Sequence, residues 1–188
     1  MVFSLISRIV NSAKEGIKTS LKGVSDIGSA IVGVVKDLTT TTLGETGELL
    51  SKGVEATASI VKGAIYGVSD IGISIVSAIR NIVRGTVGGF MEAGGEQKPA
   101  IQGAVAQAIN SAKELGLDIG EVAVEAVKGS IQAVTTVGGD TVQATKEAVS
   151  AAIEAAKDIG GETLGAVKDA LASGVEGAKD IIEAAKEE

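Results

Sequence analysis

The sequence predicts an all-α protein of long, nearly straight amphipathic helices, arranged as an antiparallel helical hairpin or an elongated bundle. The first observation behind this class is an 11-residue repeat that stays in phase through most of the chain. The second is an apolar content of Ala, Val, Ile and Leu, with only one Tyr, two Phe and no Trp. A core without large aromatic side chains must be thin and built from small groups in close contact.

The 11-residue repeat consists of an acidic column and an aliphatic column. The acidic column starts at Glu15 and is acidic at twelve of its sixteen positions, and the column six places later is aliphatic at thirteen of sixteen. Eleven residues make three turns at about 3.67 residues per turn, so each column stays on one face of an almost straight helix. The predicted apolar stripe comprises Leu21, Val32, Val54, Ile65, Val76, Val87, Ile109, Ile131, Val142, Ile153, Leu164 and Val175.

A 22-residue period lies on top of this repeat, because the position two places after the acid alternates between a branched aliphatic residue and glycine. Small residues permit close approach of helix backbones, so we expect helix contacts there, with helix ends or hinges as the alternative. The glycine set is Gly28, Gly72, Gly94, Gly116, Gly138 and Gly160. The small-xxx-small spacing is also found at Gly63/Gly67, Gly85/Gly89, Gly116/Gly120 and Gly161/Gly165.

Glycine pairs and the single proline predict where the helices end. The segment 88–99 contains two glycine pairs and Pro99 and is predicted to form a turn. Weaker helix breaks are predicted at the threonine run 39–42 and at Gly138-Gly139. Helices are expected near 3–38, 45–87, 100–137 and 141–186, with continuity between neighbours left open. The turn divides the chain into an N-terminal repeat half, 1–94, and an acidic C-terminal half, 95–188.

The charge of the two halves differs. Residues 1–94 carry nine basic and eight acidic side chains, a net charge of +1, and residues 95–188 carry eight basic and sixteen acidic ones, a net charge of −8. The total of −7 argues against a nucleic-acid partner, which would need a basic surface.

Catalytic chemistry is not expected. The chain has no His and no Cys, which removes the usual general base, the thiolate nucleophile and His/Cys zinc sites. The carboxylates recur every eleven residues as a solvated helix face instead of forming a unique pair. We therefore predict no enzyme, no catalytic residues, no metal, no cofactor and no small-molecule substrate.

A membrane-spanning segment is not expected either. The longest apolar runs, 27–35 and 71–79, have nine residues each, whereas a transmembrane helix needs about 20. The first residues lack the pattern of a signal peptide, which leaves the localisation unknown and cytoplasmic by default.

The repeated units from Ala156-Lys157-Asp158 through Ala178-Lys179-Asp180 resemble those of several amphipathic-repeat families. These are the exchangeable apolipoproteins, whose 22-residue period is most similar, the synucleins, perilipin-type lipid-droplet proteins and group 3 late-embryogenesis-abundant proteins. The resemblance covers most of the chain at the level of pattern. It implies a reversible amphipathic helix that lies on lipid or protects surfaces during drying.

Three functions are consistent with these patterns. The first is a structural protein that buries its Gly/Ala/Val/Ile stripe by self-assembly into a helical bundle, sheath or filament, as a homo-oligomer. The second is an amphipathic-helix protein that coats a membrane, a lipid droplet or a storage granule. The third is a desiccation- or stress-protective protein. The abundant glycine, 26 of 188 residues, favours close helix–helix packing and hence the first.

Overall fold

The computed structural model describes residues 2–45 and 53–186, and all regular secondary structure in those ranges is helical. The all-α class and the bundle arrangement predicted from the sequence are confirmed. The helices are α1 (Val2–Ser20), α2 (Ile27–Glu45), α3 (Gly53–Asp70), α4 (Ile75–Glu92), α5 (Gln97–Glu114), α6 (Ile119–Val137), α7 (Thr141–Ile159), α8 (Gly161–Gly174) and α9 (Ala178–Ala184).

The helices form a stack with contacts between close neighbours in the sequence. The largest contacts join helices two apart in the chain, from α1 with α3 through to α6 with α8, and consecutive helices make smaller ones. Within the described ranges, helices further apart than two make no comparable contact. Each helix therefore touches only its near neighbours, as in solenoid repeats, with odd-numbered helices side by side and even-numbered helices side by side.

The 22-residue period corresponds to one helix and one turn. The helices α4 and α5 have 18 residues each, and four-residue turns follow both. Each turn contains a glycine with positive φ, such as Gly116 at +67°. The N–H of Gly116 donates to the carbonyl of Lys113, and the N–H of Leu117 donates to the carbonyl of Ala112 at 2.9 Å. This pair of bonds is the Schellman motif, which satisfies carbonyls at a helix C-terminus.

The start of the unit is marked by an N-cap residue at the same period. The side chains of Asp118 and Asp140, which occupy the same position in successive units, each accept a hydrogen bond at 2.9 Å from a backbone N–H of the first turn of α6 and α7. Asp26 does the same for α2 at 3.2 Å. The hydrogen bond from the Ser29 N–H lowers the pKa of Asp26, because it stabilises the ionised carboxylate.

The four long helical stretches predicted from the sequence are each divided into two or more helices. Glycines with positive φ end a helix inside every one of them, at Gly23, Gly72, Gly116 and Gly160. The turn at 93–96 lies inside the predicted 88–99 segment, but it is one of several similar turns. The break expected at the threonine run 39–42 is wrong, because α2 continues through this run to Glu45. Residues 46–52, near the start of the second predicted stretch, lie outside the described residues.

The predicted role of the periodic glycine set as helix contacts is wrong for five of the six. These five have positive φ, and a Cβ built on them would meet no heavy atom within 4 Å: Gly72, Gly94, Gly116, Gly138 and Gly160. They end helices, as the alternative prediction stated. Gly28 differs, because it lies in the first turn of α2, where a Cβ would be 3.2 Å from the side-chain nitrogen of Asn81.

Replacing Gly116 with alanine tests the turn. A Cβ has room there, so the cost comes only from the left-handed backbone, about 1–2 kcal/mol. We expect a loss of that size in the free energy of unfolding, measured with urea. The control is Gly33→Ala, at a helical glycine with open space around it, which should stabilise the protein. If Gly116→Ala leaves the free energy of unfolding unchanged, the assigned turn geometry is contradicted.

Glycines at close helix contacts include the pairs Gly63/Gly67 and Gly85/Gly89, whose four-residue spacing predicted such contacts. A Cβ on Gly67 would be 2.7 Å from the carbonyl oxygen of Lys14, and one on Gly63 would overlap the carbonyl of Val10. The second pair faces the equivalent carbonyls of α2, one unit further along, at Val32 and Lys36, at 2.8 and 2.9 Å. These glycines let α3 approach α1, and α4 approach α2, closely. Gly161 and Gly165 have nothing within 4 Å of a built Cβ.

The predicted apolar stripe is only partly buried. Five members are buried at 0 to 6% exposure: Leu21, Ile65, Val87, Ile109 and Val175. Five are half-buried: Val32, Val76, Ile131, Ile153 and Leu164. Val54 and Val142 are exposed, at 44% and 70%. The exposed pair occupies the second residue of α3 and of α7, because every second 11-residue unit begins a helix.

Ion pairs repeat with the same 22-residue shift. Lys14 Nζ lies 3.0 Å from Asp70 Oδ2, and Lys36 Nζ lies 2.8 Å from Glu92 Oε1. Both acids end a helix, where a helix dipole disfavours negative charge, so the lysine of the helix two before compensates them. The hydrogen bond from Lys14 holds the pKa of Asp70 below its usual value. All four side chains are more than 30% exposed, so solvent screens both pairs and each adds little to stability.

A candidate docking groove along helix α6

A groove runs along one face of α6. Two cavities of about 770 and 560 Å³ lie end to end along this face, with walls from α4 on one side and from α8 and the start of α7 on the other. We call this feature the α6 groove. The α6 residues in it are three and four apart and therefore share one helix face: Gly120, Glu121, Val124, Glu125, Lys128, Ile131 and Gln132.

Small residues make the floor of the groove. A Cβ on Gly120 would be 3.1 Å from that of Ala170, so α6 and α8 approach closely at this point. A Cβ on Gly174 would be 2.9 Å from the side chain of Val124, which closes the other end of the same contact. Because no long side chain fills the space above this contact, a concave surface remains along α6.

Charge is divided along the α6 groove. Asp118, Glu121 and Glu125 line the larger cavity, and the smaller one is lined by two basic residues and one acidic residue, Arg80, Lys128 and Glu176. Arg80 and Glu125 form an ion pair at 2.8 Å where the two cavities meet, which leaves the carboxylate of Glu121 at one end and the ammonium of Lys128 at the other. In the described part of the chain, neither of these two side chains has an ion-pair partner.

Arg80 anchors the middle of the groove. Its side chain is 35% exposed, yet its Nε atom is buried and has no hydrogen-bond acceptor among the described residues. Its backbone carbonyl is the group that a Cβ on Gly129 would meet, at 2.5 Å, so the crossing of α4 and α6 is fixed here by glycine and ion pair together. A buried N–H without an acceptor costs about 1–3 kcal/mol.

The sequence-predicted residues contribute little to this site. Of the stripe, Val76, Ile131 and Val175 line the groove, and of the glycine set none does. The charged residues of the groove were treated in the sequence as members of a solvated face. The seven-residue spacing between Glu121 and Lys128 is visible in the sequence. The position of the groove is not, because its walls come from residues of four helices.

Two further searches of the described residues concern metal sites and membrane-spanning helices. Within residues 4–44 and 53–186, no three His, Cys, Asp or Glu side chains are grouped so as to hold a metal ion. No helix in the described part of the chain combines the length and the apolar character needed to cross a bilayer.

Comparison with known proteins gives one result. No protein-family model and no curated protein matches the sequence.

Proposed function

We propose that the chain is a non-enzymatic structural repeat protein that assembles with copies of itself into a larger bundle, sheath or filament. The observation that carries the proposal is the separation of charge along a one-dimensional stack. The helices are stacked in sequence order, so the half with a net charge of +1 and the half with −8 lie toward opposite ends. The acidic end of one copy is repelled less by the near-neutral end of another copy than by its acidic end, which favours contact between the N-terminal part of one copy and the C-terminal part of another.

The interface in this proposal is polar. Most of the core aliphatic residues, from Ile9 to Ile182, are covered within one chain, so the stripe is not the surface offered to a second copy. The outward face of α1 is also polar, with Arg8, Ser12, Glu15 and Thr19 exposed. Contacts between such surfaces are steered by charge and weaken when salt screens it.

Sedimentation velocity tests this function. At low salt we expect the mean mass of the chain to rise with concentration. The rise should shrink strongly in about 1 M NaCl, where the Debye length falls to about 3 Å. Negative-stain imaging of the low-salt sample shows whether the larger species are closed or extended. A chain that stays monomeric at every concentration in low salt contradicts the proposal.

The lipid-coating function is the alternative. The resemblance to apolipoprotein-like repeats favours it, and so does the exposure of Val142 and Val54. It requires the stack to open, because the remaining stripe faces other helices of the same chain. Flotation with liposomes or oil droplets, and a gain in helicity on their addition, would support it. The stress-protective function requires a chain that is unfolded in dilute buffer, which circular dichroism measures directly.

A further inference from the structure

We infer that the α6 groove is the docking site for helix α1 of a second copy of this chain. The inference rests on the self-assembly proposed above and names the two surfaces that meet. It concerns one exposed face of α1 and the face of α6 that forms the floor of the groove.

The docking face of α1 consists of exposed residues at helical spacing. Arg8, Ser12, Glu15, Thr19 and Lys22 are three or four residues apart and all exposed, so they form one stripe along the helix and the turn after it. The buried face, which includes Ile9, Ala13 and Ile17, packs on the rest of the chain. A second copy can therefore approach α1 without displacing it from its own core.

The charges on the two faces have the same spacing. On α1, Glu15 lies seven residues from Arg8 on one side and seven from Lys22 on the other. On α6, Glu121 and Lys128 are also seven residues apart. Seven residues of helix span about 10.5 Å, so Glu15 can meet Lys128 while a basic residue of α1 meets Glu121. Arg8 fills that role if the two helices are parallel, and Lys22, in the turn directly after α1, if they are antiparallel.

Of these charged side chains, only Glu15 has an ion-pair partner among the described residues. In the described residues, Arg8 and Lys22 make no ion pair, and the contact of Glu15 with Lys18 is a local one at 3.3 Å in which the Glu15 side chain is 65% exposed. Residues 2–22 contain four basic residues, of which Lys14 and Lys18 pair with Asp70, so Arg8 and Lys22 remain for a partner. Of the three carboxylates that line the larger cavity, Asp118 caps α6 and Glu125 pairs with Arg80, so Glu121 remains. The small Ser12 and Thr19 between the charges suit a floor of Gly120 and Val124.

A charge exchange between two chains tests the inference. The variants are Lys128→Glu and Glu15→Lys, each of which places like charges opposite each other. We expect each alone to raise the dissociation constant of self-association about tenfold, since an exposed attraction becomes a repulsion. In an equal mixture, α1 of the Glu15→Lys chain meets the groove of the Lys128→Glu chain with opposite charges, and association should recover. Sedimentation velocity of the single variants and of the mixture gives both results.

The matched control is Lys157→Glu, an equal change of charge at an exposed residue of α7 outside the groove. Circular dichroism checks that every variant folds. If Lys128→Glu does not fold, Glu121→Arg replaces it, since that side chain is exposed, and the paired variants are then Arg8→Glu and Lys22→Glu. A wild-type chain that never associates overturns the proposed function together with this inference. If the wild-type chain associates, but the two charge-reversed variants and their mixture associate as strongly as Lys157→Glu does, only the assignment of the α6 groove as the docking site is overturned.

Discussion

Replacing Phe90 with alanine is expected to lower the free energy of unfolding by about 3–5 kcal/mol, the usual cost of removing a buried aromatic ring. Phe90 is fully buried and heads the set of largest buried side chains. Its ring fills the space left by two glycines, because a Cβ on Gly95 would overlap the ring and one on Gly53 would be 2.7 Å from Cζ. The ring thus joins the start of α3 to the end of α4.

Urea unfolding of Phe90→Ala, followed by circular dichroism, measures this loss. Domains of this kind are stable by about 5–15 kcal/mol in total, so the variant should unfold at a much lower urea concentration than the parent. Met91→Ala is the control at the neighbouring, half-buried residue and should cost far less. Equal losses for the two variants would mean that the ring does not hold these helices together.

Replacing Gly63 with alanine is the second change with a large expected effect. The added Cβ would overlap the backbone carbonyl of Val10 and lie 2.7 Å from the Cβ of Ala13. A backbone group cannot rotate out of the way as a side chain can, so α1 must move off α3. We expect a net loss of about 2–3 kcal/mol, near the upper end of the usual cost of overpacking. The gain of up to about 1 kcal/mol in helix propensity from Gly to Ala is included in that figure.

The control for this substitution is Gly165→Ala, at an exposed glycine inside α8. Nothing lies within 4 Å of a Cβ built there, so only the propensity term acts, and the protein should become more stable by about 0.5–1 kcal/mol. The same chemical change thus has opposite signs at the two sites. If Gly63→Ala also stabilises the protein, α1 and α3 do not pack through their backbones.

The all-α class and the 22-residue unit could be predicted from the sequence, because each repeats many times. The role of individual glycines could not. Gly63 is needed because it has no Cβ, whereas Gly116 is needed because it adopts positive φ. Both requirements place glycine at regular spacing, and only the neighbouring backbone tells them apart. The hydrophobic residue after the turn glycine, Ile73 or Leu117, was the available signal for a Schellman motif.

The prediction that the whole apolar stripe is buried was wrong for some members, for a related reason. Val87 and Val142 belong to the same 11-residue column, but Val87 is 0% exposed and Val142 is 70% exposed. An 11-residue unit describes a continuous helix, and here the chain turns after every second unit. The alternate members consequently fall at the start of a helix. The α6 groove could not be predicted, since its walls come from residues between 76 and 176.

Hydrogen–deuterium exchange on the dilute, lipid-free monomer tests the central claim most directly: that one chain covers its own apolar surface in repeated units of one helix and one turn. We predict slow exchange in the interior of α3 to α6, in water and without any partner. Fast exchange should recur once in every such unit, in the turns that contain Gly72, Gly94, Gly116 and Gly138. Fast exchange throughout, or unbroken protection across those turns, would contradict the claim.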